Sequence, residues 1–169
     1  MSNQSRATED QFNAGAPSWL RVSIKRNTVQ LRGDSTWAGQ PVVNTVRVRL
    51  RDGLTGVNVN QAMAASWRFN GNGEKNRFVF GDQAGAITKR TRSVMNFGND
   101  QRQDVFVFTN TAPGKPFNHM QQFTIQNMGR EDRIILKNIG RTFGFNDVRG
   151  DGSLPGVPVT NLRITSFAT

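Results

Sequence analysis

The chain has 169 residues, of which 36% belong to the set AVILMFWYC, with 12 Phe, 3 Trp and no Cys. This size and composition predict one folded domain, and the lack of Cys excludes disulfides, thiolate nucleophiles and cysteine-based zinc or iron-sulfur sites. Twenty-two Lys and Arg against 12 Asp and Glu give a net charge of +10, so a partner is expected to be acidic.

The first 16 residues differ from the rest of the chain. They are small and polar, carry both signs of charge and show no helical spacing of apolar positions, which predicts an extended N-terminal arm. An all-β domain is expected over residues 17–169. No apolar stretch approaches the roughly 18 residues of a membrane helix, and the N-terminus lacks the apolar core of a cleaved signal peptide. We therefore expect a soluble protein that keeps its N-terminus and does not insert into membranes.

From residue 19 onward, apolar and polar residues alternate, which is the period-2 pattern of half-buried strands. Turn residues such as Gly, Asp and Asn separate these runs. The clearest runs are Val22-x-Ile24, Val29-x-Leu31, Val46-x-Val48-x-Leu50 and Val57-x-Val59. Only residues 60–66 have a helix-favouring composition, which predicts one or two helical turns there.

A spacing of 28 residues links several apolar groups. Trp67-x-Phe69 is followed at this spacing by Met95-x-Phe97 and then by Phe123-x-Ile125. A second series has the same spacing and comprises Phe78-Val79-Phe80, Phe106-Val107-Phe108, Ile134-Ile135-Leu136 and Leu162-Arg163-Ile164. Each unit is predicted to be a strand, a tight turn and a strand, with a repeat over residues 67–164. Regular strand spacing in any β protein could also produce such a coincidence. The pattern fits either a sandwich or jelly-roll or a β-solenoid or β-roll.

Positive residues fall where the alternation predicts outward-facing positions. They are therefore candidates for contact with nucleic acid or with an acidic protein lattice. The alternative is a solvated strand face that discourages edge-to-edge aggregation. The candidates are Arg21, Lys25, Arg47, Arg49, Arg51, Lys89, Arg90 and Arg92.

The sequence offers no convincing active site. His119 is the only His and lies beside a proline turn without an evident nucleophile, so a packing or polar role is expected. Residues 147–153 resemble the start of a calcium loop, with Asp147 and Asp151 as weak Ca²⁺ candidates. Arg149 stands at a ligand position and Pro158 replaces the final Glu, so we expect no cofactor and no enzyme activity.

Three segments carry a family resemblance: residues 104–108, 123–125 and 131–136. Together they resemble the segments that flank the calcium repeats of type I-secreted RTX proteins, over residues 97–140. The resemblance implies a β-roll-like fold and secretion without a cleaved N-terminal signal. The glycine-aspartate nonapeptides that bind calcium in that family are missing here.

These observations predict a structural protein whose copies assemble into a repeating array. Its partners would be copies of itself and an acidic capsid lattice or nucleic acid, as in a virion coat or capsid-decorating subunit. A secreted filament or surface-layer subunit at the extracellular surface is the alternative. A soluble glycan- or nucleic-acid-binding module is an alternative of another class.

Overall fold

The computed structural model describes residues 17–62, 64–81, 91–98, 100–109 and 122–168. These residues form strands and three short 3-10 helices, which confirms the all-β, single-domain prediction. The strands of the seven-stranded sheet are, in spatial order, β1 (Leu20–Lys25), β2 (Thr28–Gly33), β4 (Gly56–Asn60), β6 (Arg77–Phe80), β8 (Val105–Phe108), β10 (Arg133–Leu136) and β11 (Arg141–Gly144). Those of the five-stranded sheet are β12 (Leu162–Ile164), β9 (Phe123–Gln126), β7 (Ser93–Asn96), β5 (Ala65–Asn70) and β3 (Val43–Arg49). The predicted arm, residues 1–16, lies outside the described residues.

The chain passes back and forth between the two sheets, and each new strand stacks in parallel on the strand one coil earlier. From β2 to β10 the even-numbered strands pair in parallel, and β3, β5, β7, β9 and β12 do the same. The two strands of each predicted unit lie in different sheets and are not paired with each other. This parallel stacking is the arrangement of a β-solenoid rather than of a sandwich of hairpins.

Antiparallel strands occupy both ends of the seven-stranded sheet. At the N-terminal end β1 forms a hairpin with β2, and at the C-terminal end β11 forms a hairpin with β10. The five-stranded sheet ends instead with parallel strands, β3 on one side and β12 on the other.

The 28-residue spacing describes one sheet accurately and the other only on average. In the seven-stranded sheet Arg77 pairs with Val105 and Val105 with Arg133, in steps of 28 residues. In the five-stranded sheet Met95 pairs with Phe69 rather than Trp67, and with Ile125 rather than Phe123. A shift of two residues keeps every side chain on the same face, so the apolar pattern cannot detect it.

The position assigned to Leu162–Ile164 by the repeat needs correction. The spacing places it as the next strand after β10, but the structure pairs Leu162 with Phe123 of β9. The edge of β10 is already occupied by β11, so the chain crosses over and resumes stacking in the five-stranded sheet.

The short helix predicted over residues 60–66 is also wrong. This segment holds the end of β4, a turn and the start of β5. Gln61 adopts a positive φ of 49°, and Ala62 and Ala64 are buried. Seven residues gain too few helical hydrogen bonds to compete with two strands that must enter different sheets.

The core lies between the two sheets and is rich in stacked phenylalanines. Phe78 and Phe106 occupy the same inward column on neighbouring coils and stack with 6.4 Å between ring centroids. Phe123 of the opposite sheet meets Phe106 edge to face at 5.5 Å. Trp67 donates its indole N–H to the Ala62 carbonyl at 3.1 Å, so its polar group is satisfied in the interior.

Candidate partner-binding surface

The structure separates the predicted basic residues into two groups. Arg47 and Arg49 are exposed on the outer face of β3, with Arg51 in the following turn. Arg21 and Lys25 are exposed on β1, which belongs to the other sheet. The two sheets enclose one core, so their outer faces point in opposite directions. The prediction of one Arg ladder shared by both groups is therefore wrong.

The outer face of the five-stranded sheet collects arginines from several coils. Arg47 of β3 stands directly beside Arg68 of β5, and Thr124 of β9 stands beside Arg163 of β12. Arg92 is exposed just before β7. The strands of this sheet contain no Asp or Glu. We call this surface the basic face, which consists of Arg47, Arg49, Arg68, Arg92 and Arg163.

Sequence reasoning missed two members of the basic face, Arg68 and Arg163. Both lie between inward apolar residues, in Trp67-Arg68-Phe69 and Leu162-Arg163-Ile164, so the alternation that identified Arg47 also applies to them. Two further candidates, Lys89 and Arg90, lie outside the described residues, as does His119.

Polar side chains fix the strands beneath the basic face. The Ser93 hydroxyl oxygen accepts from the Trp67 backbone N–H at 3.0 Å, and the Ser66 hydroxyl oxygen accepts from that of Arg92 at 3.0 Å. The Arg92 side chain donates through Nε to Gln122 Oε1 at 3.1 Å. These bonds link neighbouring coils and hold the outward side chains in register.

Charge on the basic face is only partly balanced within the chain. Arg163 Nε donates to the Asp151 carbonyl at 3.1 Å. Within the described residues, no carboxylate lies within ion-pair distance of Arg47, Arg49 or Arg68. Because Arg47 and Arg68 are cross-strand neighbours of the same charge, their arrangement is unfavourable unless an anion lies near them.

The opposite face is better neutralised. Arg21 forms an ion pair with Asp34 at 3.2 Å and also donates to the Ser18 carbonyl. Hydrogen bonds from Thr36 hold the pKa of Asp34 below its usual value, and Arg21 lowers it further. Arg21 therefore already has an anionic partner and is a weaker candidate for polyanion contact.

The turns that lead from the five-stranded to the seven-stranded sheet form an acidic corner. Asn76, Asp104 and Asp132 occupy equivalent places in three successive coils and are buried. Asp104 Oδ1 accepts from the Asn76 backbone N–H at 2.9 Å, and Asp132 Oδ1 accepts from that of Asp104 at 2.9 Å. Asp132 Oδ2 also accepts from the Gly129 N–H at 2.7 Å. We call this stack the Asn-Asp ladder.

Burial has a large effect on the acids of the ladder. It raises the pKa of Asp104 to about 8, with further increases from Asp100, Asp132 and Glu131. Burial also raises the pKa of Asp132 to about 6. Within the described part of the chain, Oδ2 of Asp104 and Oδ2 of Asp100 are buried without a hydrogen-bond partner. Asp104 thus holds its proton at neutral pH.

The two weak calcium candidates have structural roles. Asp147 Oδ2 accepts from the Gly144 N–H at 2.7 Å. Asp151 Oδ1 accepts from both the backbone N–H and the hydroxyl of Ser153, and these bonds lower the pKa of Asp151. Both carboxylates close turns, and the described residues contain no cluster of three or more potential metal-ligating acids or histidines.

The helices of the described chain are single 3-10 turns, so none is long and apolar enough to span a membrane. No protein-family model, curated protein or solved structure matches this chain. The physical character of its surfaces is therefore the basis for a functional assignment.

Proposed function

We propose that this protein is a non-enzymatic structural subunit of a repeating array and that its basic face binds a polyanion within that array. The observation that carries the proposal is the juxtaposition of Arg47 and Arg68 on a sheet face whose strands contain no carboxylate. An acidic lattice or the phosphates of nucleic acid would supply the missing counter-charge.

The rigidity of the basic face suits an extended partner. Its arginines extend from neighbouring strands of one sheet, whose spacing is about 4.8 Å. The backbone beneath them is held by parallel ladders and by the bonds of Ser66 and Ser93. A positively charged surface that is already ordered loses little conformational entropy when it binds.

The setting that we favour is a virion, as a coat or capsid-decorating subunit, because an acidic lattice or packaged nucleic acid is abundant there. A secreted filament or surface-layer subunit is the second setting, and it follows from the solenoid stacking and the RTX resemblance. Electron microscopy of the purified protein tests both settings. Regular particles, tubes or fibres support assembly, whereas a monodisperse monomer that binds a glycan or an oligonucleotide supports a soluble module.

Charge reversal tests the basic face. The double variant Arg47→Glu with Arg49→Glu is expected to weaken binding to double-stranded DNA and to polyglutamate by about 10-fold or more at low salt. Fluorescence anisotropy measures this directly. The matched control is Lys25→Glu with Arg77→Glu, which makes the same charge change on the seven-stranded sheet. Equal weakening by both double variants would show that only net charge matters and would contradict the proposal.

The predicted arm provides a separate test of assembly. Deleting residues 1 to 16 is expected to leave the melting temperature nearly unchanged and to reduce the assembled fraction in analytical ultracentrifugation. The reason is that an extended polar arm gains order only on a neighbouring copy. Unchanged assembly by the truncated chain would refute the role given to the arm.

A further inference from the structure

A cleft lies at the C-terminal end of the seven-stranded sheet, away from the basic face. It has a volume of about 300 Å³, which is the lower end of the range for small-molecule sites. Its walls come from the turn before β10, from β11 and from the 3-10 helix Phe145–Asp147. The side chains that define its chemistry are those of Arg130, Arg133, Thr142, Phe145, Asn146 and Asp147.

Arg133 is held in place by the backbone. Its Nη1 donates to the Arg130 carbonyl at 2.9 Å and to the Asp132 carbonyl at 2.8 Å. Its cross-strand neighbour is Gly144, where a Cβ atom would lie 3.3 Å from Nη1 and 3.5 Å from Cζ. The guanidinium therefore lies against a strand position without a side chain. With Nη1 engaged, Nε and Nη2 remain as donors for a ligand.

Arg130 is positioned by aromatic rings. Its Cζ lies 5.0 Å from the ring centroid of Phe145, which is a cation-π contact. Phe145 in turn meets Phe167 edge to face at 5.0 Å. This support fixes a second guanidinium at the same cleft.

The charge of the cleft favours an anion. Two arginines line it, and no carboxylate in the described residues forms an ion pair with either of them. The one acid in its wall, Asp147, already accepts the Gly144 N–H through Oδ2. Thr142 and Asn146 add a hydroxyl and an amide, which are neutral hydrogen-bonding groups.

We propose that this cleft binds a phosphate group, either as inorganic phosphate or as part of a small phosphorylated molecule. Two guanidiniums that come from different positions match a tetrahedral dianion better than they match a single planar carboxylate. The inference is independent of the proposed polyanion surface, because it uses other residues on another side of the protein.

Isothermal titration of the full chain with inorganic phosphate, glucose 6-phosphate and glucuronate tests the assignment. Saturable binding of at least one phosphate compound, tighter than binding of glucuronate, is expected. Tighter binding of glucose 6-phosphate than of inorganic phosphate identifies a phosphorylated molecule as the ligand, and the reverse order identifies the free ion. No saturable binding of either phosphate compound, or tighter binding of glucuronate, overturns the proposal.

Variants locate the binding. Arg133→Gln is expected to weaken phosphate binding by about 10-fold. Gly144→Ala conserves charge and is expected to weaken it as well, because the added methyl displaces the Arg133 guanidinium. The matched control is Arg141→Gln, since Arg141 is an exposed arginine of β11 that stacks on Phe143 and does not line the cleft. Weakening by Arg141→Gln equal to that by Arg133→Gln, or unchanged affinity in a folded Gly144→Ala protein, overturns the proposal.

Discussion

Replacing Asp104 with Asn is expected to stabilise the protein by about 2 kcal/mol at pH 8. In the native protein this carboxyl is buried in the Asn-Asp ladder with Oδ2 unpartnered within the described residues. The variant keeps an oxygen that accepts the Asn76 N–H, and it adds an amide donor where Asp100, Asp132 and Glu131 provide acceptors. Position 76 of the preceding coil already carries Asn in the equivalent place.

The gain depends on pH in a defined direction. The pKa of Asp104 is about 8 in the folded protein and 3.8 as its ordinary value. Between these values the folded state binds a proton that the unfolded state has released, so the free energy of unfolding falls as pH rises. The advantage of Asp104→Asn is therefore small near pH 4, grows up to about pH 8 and then becomes constant. Urea denaturation of both proteins at several pH values measures it.

Asp132 limits how flat the curve of the variant becomes. Its pKa of about 6 leaves a decline in stability between its ordinary value and pH 6, which Asp104→Asn does not remove. Asp52→Asn is the matched control, because Asp52 is exposed in the turn between β3 and β4. A variant Asp104→Asn that is less stable than the natural protein at pH 8 would contradict the buried-proton account.

Phe106→Ala is expected to cost about 4 kcal/mol of unfolding free energy. Phe106 is fully buried, and its ring centroid lies 4.7 Å from that of Phe108 and 5.5 Å from that of Phe123. It also contacts Phe69 and Phe78, so it joins both sheets and two successive coils. Truncation would leave a cavity whose rigid aromatic walls cannot collapse. Chemical denaturation with a fluorescence readout measures the loss.

Phe167→Ala provides the comparison for Phe106→Ala. The same atoms are removed, but Phe167 is 43% exposed and lies near the C-terminal end of the described chain. Its truncation is expected to cost less than about 1 kcal/mol, because most of the lost contact is with solvent. Similar losses in the two variants would show that the aromatic stack does not dominate the stability of the core.

The sequence carries the fold class but not the full register. The alternation around Val46, Val48 and Leu50 identified a strand, and the spacing from Phe78 through Phe106 to Ile134 matches three strands of one sheet. The pairing of Met95 with Phe69 was not predictable, because a two-residue shift changes no face. The crossing to β12 depends on the β11 hairpin, which is a tertiary event without a periodic signal.

The candidate surface was predictable in kind and incomplete in membership. Alternation shows that Arg47 and Arg49 point outward, but it cannot show that Arg21 belongs to the opposite sheet. The cleft at Arg130 and Arg133 was not found, because its walls come from a turn, a hairpin strand and a 3-10 helix that no single sequence pattern connects.

The reversed strands at the two ends of the seven-stranded sheet limit how copies of this protein can join. A second molecule placed end to end meets β1 or β11, whose direction is opposite to that of the strands behind it. It therefore cannot prolong both walls of the coil in the same parallel register. The length of each solenoid is fixed within one polypeptide, so lateral growth through the flanks is the geometry left open to a larger assembly.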